Sequence, residues 1–136
     1  IERIGDLSIS IMKKSKNIKE KHDLIEKFDI GDIARQVELI TLKANICFVK
    51  QDGKAAGEIY VLNKDIRNGC EEAIHKIINE MKVNSKAVVS GTNLVIVLKH
   101  LERISEHCTN IAEYVYFTVN AKIIKHDKLD DLSSDE

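Results

Sequence analysis

Ile30, Ile33, Val37, Ile40, Ala44 and Cys47 alternate steps of three and four residues along the chain. That spacing draws an apolar seam down one side of an α-helix, the seam of a helix packed lengthwise against others. A second run, Ile59, Leu62, Ile66, Cys70, Ala73, Ile77 and Met81, steps by 3, 4, 4, 3, 4, 4. Its eleven-residue period predicts a nearly straight helix. A third, Leu94, Leu98, Leu101, Ser105, Cys108, Ala112, Val115 and Val119, predicts one more. The sequence contains no proline to break these helices. The β-branched stretch Val88-Val89 and the run from Leu94 to Leu98 could pass for strands, but the helical stripe continues beyond them and strand alternation does not.

The predicted helices therefore run from about Ile30 to Lys50, Lys54 to Val83 and Lys86 to Ala121. Gln51-Asp52-Gly53 forms the first turn, with Gly53 available for a left-handed cap. Asn84-Ser85 forms the second and supplies an N-cap. Turns this short force antiparallel neighbours, so the fold class is all-α, an antiparallel three-helix bundle. Gly69 falls mid-helix, and a close helix crossing is the expected reason. Ahead of the bundle, Ile4, Leu7, Ile11 and Ile18 share one side of another helix, which has no start signal of its own. The domain reading is a helix end over residues 1–20, a linker over 21–28, the bundle over 29–122 and an acidic disordered tail over 123–136.

Composition removes several functions. Twenty-one basic residues against 22 acidic leave a net charge of −1, with no basic surplus for nucleic acid. The longest apolar run, Leu94 to Leu98, falls far short of the roughly 20 residues of a membrane span. Cys47, Cys70 and Cys108 are scattered, without C-x-x-C, and read as reduced core thiols. No phosphate loop or nucleophile elbow is visible, so no catalytic residue is assigned. Glu72 and His75 form a lone Glu-x-x-His, where a di-iron site needs two. His100 and His107 are expected at the surface, and His22-Asp23-Leu24 is a faint phosphoacceptor-like segment with no ATP module beside it.

One element occurs twice. Ile1-Glu2-Arg3-Ile4-Gly5-Asp6 opens the chain, and Leu101-Glu102-Arg103-Ile104-Ser105-Glu106 follows a hundred residues later. A duplicated domain is the simplest origin. Glu102 and Glu106 share a helix face, as do Glu2 and Asp6, and Thr109 and Glu113 are expected to continue the first line. Like charges at this spacing repel mildly, and a hard cation would relieve them.

This layout, the repeated Glu-Arg-Ile and the continuation Asn110-Ile111-Ala112-Glu113-Tyr114 resemble the PhoU family of bacterial phosphate-uptake regulators. The resemblance implies two homologous three-helix bundles in a full member. Residues 1–20 then resemble the end of the first bundle's last helix, and 29–122 the second bundle. It further implies a cytoplasmic regulator without enzymatic activity. Such a protein is an adaptor between the phosphate ABC transporter's ATPase subunit and a sensor histidine kinase, restraining starvation signalling when phosphate is ample. It would be peripheral to the membrane through those partners, and a homodimer is compatible with the reading. Family members hold metal on such acidic pairs, so Glu2, Asp6, Glu102 and Glu106 are candidate ligands for a divalent or ferric ion. Arg3, Arg103 and Glu113 are candidate partner contacts. At the neighbouring-helix positions this sequence has Asn63 and Arg67 instead of acids. A salt bridge from Arg67 to Glu102 or Glu106 is the alternative to metal. Two other readings remain: a metal-binding helical protein, and an accessory regulator of a different phosphate transporter.

Overall fold

The computed structural model describes residues 2–18 and 21–133, with side chains described for 2–18 and 24–121. Five helices follow in order: α1 Glu2–Ser15, α2 Lys21–Lys27, α3 Ile30–Lys50, α4 Ala56–Val83 and α5 Val88–Ser133. Single 3-10 turns, Gly53–Ala55 and Ser85–Ala87, lead into α4 and α5. There is no strand among the described residues.

α3, α4 and α5 form the bundle. Gly91 of α5 meets Ile77 and Met81 of α4, Cys70 of α4 approaches the Leu98 carbonyl, and Ser105 reaches Asn63, so α4 and α5 run antiparallel. Thr41 meets Cys108 and Gly53 meets Tyr116, so α3 and α5 run in the same direction. The periodic residues of all three helices converge on one core. Ile40, Cys47, Ile59, Ile66, Cys70, Leu98, Ser105, Cys108 and Val115 are wholly buried, as the seams require. The three cysteines are free thiols inside it. α1 lies along α5 with Ile4, Leu7 and Ile11 against the core, yet none of its residues is fully buried.

Four local features differ from the sequence reading. The linker over 21–28 contains the short helix α2 and ends in the buried Phe28. Lys27 anchors it, donating to Glu80 at 2.6 Å. The left-handed cap after α3 is Gln51 (φ 52°), not Gly53. α3 runs to Lys50, so the closing bonds, Asp52 N–H to Cys47 O at 3.1 Å and Gln51 N–H to Phe48 O at 3.4 Å, are made by the two residues before the glycine. α5 stays helical to Ser133, although 123–136 is expected to be unstructured. No glycine or proline follows Gly91, and a helix already nucleated extends at one hydrogen bond per residue. Residues 134–136 lie outside the described part.

The fourth difference concerns the close crossing. A Cβ on Gly69 would stand 3.5 Å from Ile33 Cγ1, an ordinary contact. A Cβ on Gly91 would stand 2.7 Å from Met81 Sδ and 3.2 Å from Ile77 Cγ2. The tight approach of α4 and α5 is therefore at Gly91. Gly69→Ala should raise thermal stability by up to about 1 kcal/mol, the glycine penalty in a helix interior. Gly91→Leu, which overpacks the crossing, should lower it by about 1–3 kcal/mol. Thermal unfolding followed by circular dichroism measures both.

Candidate functional site

The repeated element of α5 packs against α4 through one polar contact. Ser105 is wholly buried, and its Oγ lies 2.7 Å from Asn63 Oδ1 and 2.7 Å from the Glu102 carbonyl oxygen. The hydroxyl has one proton to donate, so these two acceptors share it. Asn63 is thereby held as an internal hydrogen-bond partner of α5.

Glu102 is only 14% exposed, and its carboxylate accepts from Lys99 Nζ at 2.6 Å. That bond raises the Lys99 pKa. Lys99 thus takes the place expected of Arg67. Lys99 lies one turn earlier on the same helix, so the pair needs no reach between helices. Arg67 is exposed and makes no ion pair among the described residues. Glu102 and Lys99 also bear on the buried thiol of Cys70, whose pKa burial pushes up to about 12, Glu102 adding to the rise and Lys99 opposing it.

Glu106, Arg103 and Glu113 are exposed on α5, and Glu2, Arg3 and Asp6 are exposed on α1. Thr109 does not continue the acidic line. It is buried, and its hydroxyl donates to the Ser105 carbonyl at 3.2 Å. Among the described residues no group of three or more His, Cys, Asp or Glu could hold a metal ion. Glu102 is engaged by Lys99, and across from it α4 presents Asn63 and Arg67, which add no carboxylate beside it. Glu72 and His75 are exposed, while the His22 side chain lies outside the described residues.

A groove of about 990 Å³ opens between α1, α3 and α5. Ile4, Ile11, Val37, Leu101, Ile104 and Tyr114 line it, with Arg3, Glu38 and His107 among its polar residues. The sequence signal for it was α1 itself: a helix apolar on one side and only half covered.

His100 is not a surface residue. It is half-buried, and its Nδ1 is enclosed without a hydrogen-bond partner among the described residues. Burial lowers its pKa, and the charges of Arg103 on α5 and Lys14 on α1 lower it further. The unfolded chain then binds a proton at this ring more readily than the folded one. The stability this neutral ring contributes is present above the ordinary histidine pKa of about 6.5 and is lost as pH falls toward the depressed folded value. Urea unfolding at pH 7.5 and 5.5 should show a smaller loss of stability on acidification for His100→Gln than for the parent.

Comparison with known proteins bears on this arrangement. The family model of the PhoU domain matches residues 30–115, which span α3 and α4 and most of the packed part of α5. The chain is 24% identical over 127 residues to the phosphate-specific transport system accessory protein PhoU homolog of Pseudomonas aeruginosa, covering 93% of this chain and 52% of that protein. It is 26% identical over 123 residues to the homolog of Clostridium acetobutylicum, covering 90% of this chain and 56% of that one. It is 25% identical over 138 residues to the phosphate-specific transport system accessory protein PhoU of Escherichia coli K12, covering 97% and 56%. The chain spans about half the length of the curated relatives it matches. No solved structure matches it. With a family match across most of the bundle, the chain belongs to the PhoU domain family.

Proposed function

We propose that this chain is part of a regulatory accessory protein of phosphate transport, acting by binding rather than by catalysis. Its family match and the printed names of its relatives support that reading. The finer reading is a cytoplasmic adaptor between the phosphate transporter's ATPase subunit and a sensor histidine kinase, restraining starvation signalling when phosphate is ample. The observation that carries a binding role is the outer face of α5. Arg103, Glu106 and Glu113 are exposed there, and none forms an ion pair among the described residues. Their charges are therefore available to a partner, and a helix face of this kind needs no pocket to be recognised. Among the described residues no helix is long and apolar enough to cross a membrane. Association with the membrane would then run through partners.

The test is direct binding of the longer parent protein to the purified ATPase subunit and to the kinase's cytoplasmic part. Arg103→Glu should weaken binding to one of them by about tenfold or more, the effect of a reversed interfacial charge. Its thermal midpoint should stay near that of the parent, since exposed substitutions shift stability by about 0.5 kcal/mol or less. Unchanged affinity would remove Arg103 from the interface. Failure of the parent to bind either partner would move the reading to a different phosphate transporter.

A further inference from the structure

One position of α1 breaks the pattern of its own packed side. Ile4, Leu7, Ile11 and Lys14 step by three, four and three residues, and the buried Ile18 follows four later. The apolar members rest against the core, so Lys14 is the one charged side chain on the inward seam. It is half-buried and makes no ion pair among the described residues. Lysine is rarely taken out of water without a partner.

The facing side of α5 carries charge of the same sign. Ile96, His100, His107 and Ile111 are half-buried at steps of four, seven and four residues, along one flank of the helix. His107 and Ile111 line the same groove as Ile4 and Ile11, so this flank is the one turned to α1. His100 therefore lies at the α1–α5 interface, and Arg103, three residues on, is its neighbour along the helix. Arg103 is exposed and makes no ion pair among the described residues. The charges that act on the His100 ring are those of Arg103 and Lys14, and no carboxylate is among them. The ring's Nδ1 is enclosed without a partner, so packing rather than hydrogen bonding holds it, and Nε2 is the nitrogen left to meet a ligand.

We propose that Lys14, His100 and Arg103 form a binding site for a phosphate dianion at the α1–α5 interface. Cations gathered without a counterion repel one another, and an anion that reaches all of them removes the repulsion. The donors also exceed the acceptors: an ammonium has three N–H groups, a guanidinium five, and all lack an acceptor of their own. A tetrahedral oxyanion offers oxygens in several directions at once. Lys14 would meet it as a point charge from α1 and Arg103 as a planar fork from α5, with the imidazole between them. The bound ion then ties α1 to α5 at the edge of the outer face of α5. That the ion is phosphate rests on the proposed function; the cluster of cations does not.

Isothermal titration calorimetry of the longer parent protein with inorganic phosphate, at fixed ionic strength, tests the proposal. Saturable binding is expected with a Kd below about 1 mM. Sulfate, with the same charge on the same tetrahedron, should displace the phosphate, and chloride should not. Lys14→Gln should weaken binding by about tenfold, the loss of one charge-assisted hydrogen bond, while Lys14→Arg, which keeps the charge, should retain most of it. Circular dichroism should show both variants as helical as the parent, and in NMR spectra of the parent the His100 ring signals should shift along the titration. Absence of binding up to about 10 mM phosphate would overturn the site, whether or not the parent binds its transport partners. So would binding that Lys14→Gln and Arg103→Gln leave unchanged, or a titration that leaves the His100 ring unmoved. O-phosphoserine separates the free ion from a phosphoryl group on a partner: binding of the monoester alone would overturn the assignment to inorganic phosphate.

Discussion

Burial of α5 along its whole packed length is the interaction on which this structure depends. Leu94, Leu98, Ser105, Cys108, Ala112 and Val115 are buried, and α1, α3 and α4 all rest on this one helix. Burying a large aliphatic side chain contributes roughly 1.5–3 kcal/mol, so a stripe of this length outweighs any single polar contact on the surface. The tight crossing at Gly91 and the parallel course of α3 follow from keeping that stripe covered.

The same requirement explains the polar site. A serine within the stripe brings a hydroxyl into the core, where an unsatisfied polar group is costly. Asn63 resolves this by accepting from it, and so becomes part of the packing. Lys99 does the corresponding service for the mostly buried carboxylate of Glu102. What the core leaves outside is the other side of the same helix turn, with Arg103 and Glu106. Core packing and exposed charge are divided between two faces of one helix, one step apart in sequence.

Much of this was legible in the residues. α3 is found at its expected bounds because its stripe is flanked by a clear start and a clear turn, and α4 begins within two residues of expectation. The buried Ser105 followed from its place in the stripe, whereas the polarity of Thr109 disguised a buried position. Arg67 looked like a partner for Glu102 because charge and helix register allow it, but a lysine one turn away on the same helix competes at lower cost in side-chain ordering. His100 feels the charge of Lys14 on α1, a neighbour that periodicity within either helix does not specify. The Gly69 and Gly91 positions look alike in sequence, and only the distance between α4 and α5 separates them. The PhoU relationship was carried by the Glu-Arg-Ile element, and its residues divide between core and surface in a way that a motif alone does not reveal.

The central functional claim is that the exposed side of α5, opposite its buried stripe, is the surface offered to a regulatory partner. Hydrogen exchange of the longer parent protein, with and without the phosphate transporter's ATPase subunit and then the sensor kinase, tests it most directly. The account predicts slower exchange on binding in the segment around Arg103, Glu106 and Glu113, with the buried amides of α4 unchanged. Protection confined to α4, or no change along α5 at saturating partner, would contradict it.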